Sequence, residues 1–392
     1  MRPLALLTYS TKPRGGVVHT LALAEALADV GVPVQVVALG EPGGSFFRPV
    51  GVPFTLLAGP VGATTLEEKV AGGIDCLEAG LHRLVQRQPD VVLHAQDCMS
   101  ARAAARVRDS GTGVPVVRTV HHVDDFSTAM LMDCQRQAIL EPDVVLVVTQ
   151  VWRDILAAEY DVPSAVVPNG VNVARYASGS PARAAALRAS VGAAERPLVL
   201  AVGGIEPRKG TDALVRALSR LRRTTGLDPV LAVIGGHSFQ DYRGYRDAVL
   251  AELPALGLEP GHDVLQVGTV PEQDMPSWYA AADVLAFPSV TEGFGLAVLE
   301  AMSAGLPVVT SNLPVFREYL VPGRDALLVP LGDVPALSDA LAATLTDDGL
   351  RARLTGAGRA LAARSTWARS AAAHLAVYSA LPPLAVSVAA AV

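Results

Sequence analysis

The sequence predicts an α/β protein with two doubly wound domains, on the basis of its length, its strand patterns and the order of its elements. The chain has 392 residues, more than one hydrophobic core usually supports. Short β-rich runs alternate along the chain with longer stretches of helical periodicity. Runs such as Val144–Thr149 and Val230–Ile234 are continuously apolar, which is typical of parallel strands covered on both faces.

The first half of the chain contains one complete series of strands and helices. Helices are predicted at His19–Val30, where Gly31 ends the helix, and at Glu67–Gln88. The predicted strands are Leu4–Thr8, Val34–Leu39, Val91–Ala95, Val116–Val120, Val144–Thr149 and Ala165–Val167. Strand and helix alternation of this kind favours a Rossmann-like domain.

A second series begins near Pro197 and predicts a second Rossmann-like domain. Its strands are predicted at Leu198–Val202, Val230–Ile234, Val264–Val267, Val284–Phe287 and Pro307–Thr310, with helices at Ala213–Thr224 and Met275–Ala282. The polar, Ala-rich segment 171–196 is predicted to be a linker. Because ligands bind doubly wound sheets at the carboxyl ends of the strands, we expect the two domains to face each other across a cleft that holds the site.

Composition excludes several classes of protein. Hydrophobic residues make up 51% of the chain and charged residues 18%, which excludes a disordered chain. The formal net charge of −6 lacks the basic excess of a nucleic-acid-binding protein. Acidic residues also outnumber basic ones in residues 1–175, so charge gives no indication of peripheral membrane association.

Cysteine usage and hydropathy predict a cytoplasmic location. The cysteines Cys76, Cys98 and Cys134 are few and widely spaced. They show neither the spacing of metal ligands nor a disulfide framework, which fits a reducing compartment. No apolar run reaches the roughly 18 residues that a spanning helix needs, and the start of the chain has no signal-peptide pattern.

The most informative stretch runs from Phe287 to Met302, after a predicted strand, and continues into an apolar helix at 294–303. The first turn of such a helix suits a phosphate or a polar sugar. Glu300 lies within this helix, where an unpartnered carboxylate is costly, and the vicinal diol of a ribose would satisfy it. Glu292, just before the helix, can accept hydrogen bonds from sugar hydroxyls. The alternative is that Glu300 pairs with a buried arginine and Glu292 is a solvated acid.

A basic turn follows the first strand of the second series. Arg208 and Lys209 precede Gly210 at the carboxyl end of Leu198–Val202. Two cations at this position suit a diphosphate leaving group, whose negative charge grows as the glycosidic bond breaks. A solvated turn with two surface bases is the alternative interpretation.

The first series contributes a glycine pair and a histidine. Gly15 and Gly16 join the first strand to the first helix and let a ligand approach the backbone closely, although the third glycine of the dinucleotide fingerprint is missing. His121 follows a predicted strand, where its ring could donate to a sugar hydroxyl or a phosphate oxygen; a structural histidine is the alternative. Asp124 and Asp125 are adjacent and so lack Asp-X-Asp spacing, and the sequence shows no zinc-type cluster.

In their order along the chain, these motifs resemble glycosyltransferase family 4, the retaining two-domain transferases. The matching pieces are Gly15-Gly16, His121, Pro168-Asn169-Gly170-Val171, Arg208-Lys209-Gly210, Glu292 and Glu300 with seven residues between them, and Ala304-Gly305-Leu306-Pro307. The resemblance implies the GT-B fold and a metal-independent, retaining transfer without a cofactor. The implied donor is a UDP- or GDP-linked sugar, and the acceptor is an unidentified small molecule, glycan or lipid.

The resemblance also implies roles for individual residues. Glu300 would bind the donor ribose, Glu292 the transferred sugar, and Lys209 the diphosphate. The implied catalytic residues are His121, Glu292, Arg208 and Lys209. The implied donor-binding residues are Gly15, Gly16, Arg208, Lys209, Glu292, Gly293, Phe294, Gly295, Leu296 and Glu300.

The resemblance further sets the domain boundaries and reveals one departure. A final helix at Thr366–Tyr378 would return the chain to the first domain, giving an N-terminal domain of residues 1–175 with 376–392 and a donor-binding domain of residues 176–375. Gly204 stands where the family often carries an arginine. Two other functions remain open: a non-catalytic sugar-nucleotide-binding protein of the same fold, and an NAD-dependent oxidoreductase in which Glu41 binds a ribose.

Overall fold

The computed structural model describes residues 2–236 and 240–382. They form two compact units: residues 2–169 with 367–382, and residues 170–366 apart from the gap at 237–239. The boundaries were predicted after residue 175 and before residue 376. In the structure the chain passes between the units after Asn169 and before Trp367. Residues 383–392, which were also predicted to belong to the first domain, lie outside the described residues.

The first unit is built on a seven-stranded parallel sheet. Its strands are β1 (Leu4–Thr8), β2 (Val34–Leu39), β3 (Phe54–Leu57), β4 (Val92–Ala95), β5 (Val116–Val120), β6 (Val144–Val147) and β7 (Ser164–Val166). They pair in the order β3-β2-β1-β4-β5-β6-β7, and Leu6 lies opposite Val36 on one side and His94 on the other. The order reverses between β1 and β4, so their carboxyl ends flank the point where such sheets bind ligands.

Five helices connect these strands. They are α1 (Gly15–Asp29), α2 (Leu66–Arg87), α3 (Cys98–Val107, extended by a π-helical turn at Arg108–Thr112), α4 (Ala129–Leu140) and α5 (Gln150–Tyr160). The start of α2 is a capping box, in which Thr65 accepts from the Glu68 N–H and the Glu68 carboxylate accepts from the Thr65 N–H. Helix α1 begins at Gly15, earlier than the predicted His19, so the glycine pair belongs to the first turn of the helix.

The second unit contains a six-stranded parallel sheet. Its strands are β8 (Leu198–Val202), β9 (Val230–Ile234), β10 (Val264–Gly268), β11 (Val284–Phe287), β12 (Val308–Ser311) and β13 (Leu327–Val329). They pair in the order β10-β9-β8-β11-β12-β13, which reverses between β8 and β11. The prediction of two doubly wound parallel sheets is confirmed, and in this unit the loops after β8 and β11 flank the ligand-binding point.

The helices of the second unit cover both faces of its sheet. They are α6 (Val173–Ala177), α7 (Pro181–Ser190), α8 (Thr211–Thr225), α9 (Arg243–Glu252), α10 (Met275–Ala281), α11 (Leu296–Ala304), α12 (Pro314–Arg317), α13 (Val334–Thr346) and α14 (Asp348–Arg364), with 3₁₀ turns at Pro207–Lys209, Leu253–Leu256 and Glu272–Asp274. Helices α8 and α13 pack together on one face, and α11 packs with α14. A cluster of aliphatic side chains lies between the sheet and α8, α9 and α13.

The predicted linker at 171–196 is instead folded. It forms α6 and α7, which pack against α10. Ser180 caps α7 by accepting from the Arg183 N–H, and Pro181 occupies the first turn, a position that proline favours. The Ala-rich segment therefore forms helices that pack on the second unit, and α6 places Tyr176 against Tyr279 of α10.

The last helix, α15 (Trp367–Ser379), belongs to the first unit and packs on α1. Its buried side chains include Trp367, Ala371, His374 and Tyr378, a spacing that places one face of the helix inward. The Tyr378 hydroxyl lies 2.6 Å from Nδ1 of His94 on β4. Within the described part of the chain, no helix is long and apolar enough to span a membrane.

Candidate active site

A buried ion pair joins the loops after β8 and β11. Lys209 ends the 3₁₀ turn that follows β8, and Glu292 lies between β11 and α11. The Lys209 Nζ donates to Oε1 of Glu292 at 2.5 Å, and the Ser289 hydroxyl donates to the same oxygen at 2.9 Å. Only 11% of the Lys209 side chain and 9% of the Glu292 side chain are exposed. The Lys209 Nζ also lies 4.6 Å from the centre of the Phe287 ring, within cation–π range.

Each partner of the pair offsets the effect of burial on the other. Burial acts to raise the pKa of Glu292, but the attraction of Lys209 and Arg208 and the hydrogen bonds from Lys209 and Ser289 bring it below its ordinary value. Burial lowers the pKa of Lys209, and Glu292 opposes that shift. Glu292 is therefore a carboxylate at neutral pH, suited to accept hydrogen bonds and poorly suited to take a proton.

Arg208 is oriented by a second buried acid. Its Nε donates to Oε2 of Glu206 at 2.9 Å, and its Nη1 lies 3.9 Å from Oε1 of Glu292. Glu206 is 5% exposed, whereas 38% of the Arg208 side chain is exposed. Glu206 thus fixes one end of the Arg208 guanidinium beside the ion pair. Glu206 is not among the site residues predicted from the sequence.

The backbone explains the departure at Gly204. Its φ of +78° lies in the left-handed region, and a Cβ there would come 3.0 Å from the carbonyl oxygen of Gly236. An arginine would be strained at this position. Positive charge at the end of β8 therefore comes from Arg208 and Lys209.

Glu300 has tyrosine partners, which neither sequence interpretation anticipated. The hydroxyl of Tyr279, on α10, donates to Oε2 of Glu300 at 2.7 Å, and Tyr176, on α6, is also hydrogen-bonded to this carboxyl. Burial raises the pKa of Glu300, and the two hydrogen bonds oppose the rise. The nearby Arg175 pairs instead with Glu272, at 2.8 Å. Glu300 is thus a desolvated acid held by neutral donors.

The start of α11 is fixed by aromatic packing. The helix begins at Leu296, two residues later than predicted, and no side chain caps it. Gly295 has a φ of +87°, and a Cβ there would lie 2.6 Å from the Phe316 ring. Phe294 stacks on Tyr319 with ring centres 5.0 Å apart, and the Tyr319 hydroxyl donates to the Phe294 carbonyl at 2.8 Å. The turn that carries Gly293 and Phe294 therefore presents an uncapped helix start beside Glu292.

The first unit brings together Gly16, His121 and two side chains that sequence reasoning missed. A Cβ on Gly16 would lie 3.7 Å from Cδ2 of His121. The Nε2 of His121 lies 3.1 Å from Oε1 of Gln96, and the His19 ring meets the His121 ring edge to face, with centres 4.6 Å apart. Burial lowers the pKa of His121 well below its ordinary value, and His19 lowers it further. Gly15 is exposed, and a Cβ there would meet nothing within 4 Å.

Two of the missed residues carried a signal in the sequence. Gln96 directly follows β4 as His121 follows β5, so its polar side chain lies at a strand end. Glu206 lies two residues before Arg208 in the basic turn. In residues 2–236 and 240–382, no group of three or more His, Cys, Asp or Glu side chains is arranged to hold a metal ion.

Comparisons with known proteins bear on the family of this chain. The model of a family described as Glycosyltransferase Family 4 matches residues 13–175, and that of Glycosyl transferases group 1 matches residues 184–361. A D-inositol 3-phosphate glycosyltransferase of Kribbella flavida is 31% identical over 96% of this chain and 95% of its own length. A GDP-mannose-dependent α-(1-6)-phosphatidylinositol monomannoside mannosyltransferase of Mycolicibacterium smegmatis is 34% identical over 56% of this chain and 57% of its own length.

Solved structures show the same fold. Anabaena HepE, solved with UDP and glucose, superimposes with a TM-score of 0.81 at 20% identity, over 97% of this chain and all of that one. Sucrose-phosphate synthase from Thermosynechococcus elongatus gives a TM-score of 0.80 at 22% identity, over 97% of this chain and 98% of that one. The protein is a glycosyltransferase with the GT-B architecture. More narrowly, the chain belongs to glycosyltransferase family 4, which confirms the resemblance seen in its motifs.

Proposed function

We propose that this glycosyltransferase moves a hexose from a UDP- or GDP-linked donor to an acceptor hydroxyl, with retention of anomeric configuration and without a metal ion. The observation that carries the proposal is the buried Lys209–Glu292 pair beside Arg208 and the uncapped start of α11. One relative is named as GDP-mannose-dependent and one structural neighbour was solved with UDP, which supports both nucleotides as candidates.

Each part of this site suits one part of the donor. Arg208 and Lys209 supply two positive charges for a diphosphate, and this attraction grows as the leaving group gains charge. Their presence supports charge neutralisation by the protein itself. The uncapped N–H groups of α11 add donors for phosphate or sugar oxygens. Glu300 offers a carboxylate to the two ribose hydroxyls, and Glu292 accepts from hydroxyls of the transferred hexose.

The protonation states favour retention. An inverting enzyme needs a general base that removes the proton of the acceptor hydroxyl. The lowered pKa values of Glu292 and His121 make both groups weak bases. We therefore propose that the departing diphosphate oxygen takes the acceptor's proton, so that the acceptor attacks on the face from which the diphosphate leaves. Catalysis then consists of positioning and charge stabilisation.

The acceptor class and the location are inferred more broadly. We propose a small-molecule, glycan or lipid acceptor, no nucleic-acid partner and no cofactor. A cytoplasmic location is consistent with the three free cysteines, Cys76, Cys98 and Cys134.

A donor panel tests the proposal. Thermal unfolding is followed with UDP-, GDP- and ADP-sugars and with NADH, because a ligand that binds the folded state raises the midpoint. We expect one nucleotide sugar to raise the midpoint and NADH to have no effect. Turnover of that donor is then measured with excess EDTA, where we expect full activity. Stabilisation by NADH alone would contradict the proposal, and so would a loss of turnover in EDTA that Mn²⁺ restores. Donor binding without any glycosidic product would indicate a non-catalytic protein.

A further inference from the structure

Gln96 is a buried amide at the ligand-binding end of the first unit's sheet. It directly follows β4 and is 3% exposed. Its backbone N–H donates to the Leu7 carbonyl at 3.0 Å, which fixes it between β1 and β4, where the strand order reverses. Its Oε1 lies 3.1 Å from Nε2 of His121. Its side-chain N–H group has no hydrogen-bond partner among the described residues.

The hydrogen bond to Gln96 determines which nitrogen of His121 carries the proton. A carboxamide oxygen only accepts, so Nε2 of His121 must donate to it. A neutral imidazole has one N–H, which leaves Nδ1 with its lone pair as an acceptor. The ring is also fixed in space by the edge-to-face contact with His19, whose Nδ1 lies 2.8 Å from Oδ1 of Asn169. With the Gln96 oxygen facing Nε2, the neutral His121 ring is the Nε2-protonated tautomer.

The unpartnered amide N–H needs an explanation, since buried donors without a partner are rare and costly. Gly16 contributes to one. It has no side chain, and a Cβ there would lie 3.9 Å from the backbone carbonyl oxygen of Gln96 and 3.7 Å from Cδ2 of His121. The absence of that side chain leaves the first turn of α1 open beside the Gln96 backbone and the Cδ2–Nε2 edge of the half-buried imidazole. An oxygen atom of a ligand bound at the end of β4 would give the buried amide N–H of Gln96 an acceptor.

We propose that Gln96 is a positioning residue for the transferase reaction: it holds His121 as the Nε2-protonated tautomer, so that Nδ1 accepts a hydrogen bond from a substrate hydroxyl. The free amide N–H of Gln96 donates to an oxygen of the same sugar substrate. The inference rests on the proposed function, because it is the sugar that supplies the hydroxyl and the oxygen.

The surroundings of His121 make a pH test informative. The groups that act on it are His19 from α1, His94 from β4, Arg118 from β5 and the adjacent His122, and each lowers its pKa. In Gln96→Glu, a carboxylate would replace the amide at the same distance and raise the pKa of His121. Protonation of Nδ1 would then remove the acceptor for the substrate hydroxyl. The neutral amide of the wild type does not favour this protonation.

The first measurement needs no activity. Histidine side chains are labelled with ¹⁵N in the full chain, and the His121 signals are assigned by their loss in His121→Gln. We expect long-range ¹H–¹⁵N correlations of the Nε2-protonated neutral form in the wild type, and a mixture of tautomers in Gln96→Leu. A wild-type ring protonated at Nδ1 would overturn the proposal, whatever the protein transfers.

The second measurement is the pH dependence of kcat/KM. We expect less than about a twofold change between pH 8 and pH 6 in the wild type, and a loss of about tenfold or more in Gln96→Glu as His121 becomes charged. Gln135→Glu places the same new charge on another buried glutamine of the first unit, 7% exposed, and should keep the wild-type profile shape. A folded Gln96→Glu chain with that same profile would sink the proposal. If the wild type forms no product from any donor, the proposed function fails. The NMR measurement of the His121 tautomer still tests whether Gln96 positions that ring.

Discussion

Replacing Lys209 by methionine removes the charged partner of a carboxylate that is 9% exposed. At the observed 2.5 Å, two unit charges attract by about 6–7 kcal/mol at an effective dielectric constant of about 20. Desolvation offsets much of this attraction, and removing one partner of a buried pair costs about 3–5 kcal/mol. Because Ser289 and Arg208 remain near Glu292, we expect Lys209→Met to lower the free energy of unfolding by about 3 kcal/mol.

The complementary change keeps more of the local structure. Glu292→Gln preserves the volume and an acceptor oxygen for Lys209, so we expect a loss of about 2 kcal/mol. The double variant removes both charges and leaves neither ion unpaired. Its loss should be about 2–3 kcal/mol, below the sum of the single losses, which corresponds to a coupling energy of about 2–3 kcal/mol.

The assay follows the second unit alone. Urea unfolding is measured by the fluorescence of Trp278, which is 3% exposed in that unit, in a chain where Trp152 and Trp367 are replaced by phenylalanine. The exposed pair Arg216–Glu252 in the same unit provides a matched cycle with a coupling of at most about 1 kcal/mol. Additive losses at Lys209 and Glu292, within about 0.5 kcal/mol, would refute the buried ion pair.

Three further predictions follow from the same structure. Glu300→Gln should weaken donor binding about tenfold, because a neutral amide accepts less strongly than a carboxylate. With a donor that carries 2′-deoxyribose, calorimetry should show a smaller difference in affinity between wild type and variant. An equal difference in affinity for the two donors would contradict the ribose role. Burial lowers the pKa of His19 to about 3 and that of His374 to about 4, below the ordinary value of 6.5. The unfolded chain therefore takes up protons first, and each histidine should remove about 2 kcal/mol of stability between pH 7 and pH 5. His374→Phe should make the urea-unfolding stability less dependent on pH over this range. Gly204→Ala and Gly204→Arg should each lose about 1–2 kcal/mol in urea unfolding through backbone strain, and a gain in stability for Gly204→Arg would contradict that explanation.

Much of the fold is predictable because buried parallel strands are continuously apolar. The bounds of β8 and β11 match their predicted ranges. By contrast, the prediction missed β3 and β13. Strand β3 is half exposed and β13 has only three residues, so neither shows the long apolar run of a central strand. Segment 171–196 has the polar, Ala-rich composition of a linker and contains Gly179 and Pro181, whereas its packing against α10 orders it as the short helices α6 and α7.

The candidate site divides in a similar way. Glu292 and Lys209 lie in loops after strands that flank the reversal of strand order, so their proximity follows from topology. The partners of Glu300 do not, because Tyr176 and Tyr279 come from separate helices whose packing no local pattern encodes. The place of Gln96 at a strand end can be read from the sequence, but its contact with His121 follows only from the pairing of β4 with β5.

The anomeric configuration of the product tests the central claim most directly. The donor identified by thermal unfolding is incubated with the wild type and an acceptor in excess EDTA, and the anomeric proton of the product is observed by NMR from the first turnover. An α-linked donor should give an α-linked product, and the Glu292→Gln and Lys209→Met variants should make at least about a hundredfold less of it. A β-linked product from an α-linked donor, or wild-type rates in both variants, would contradict the account.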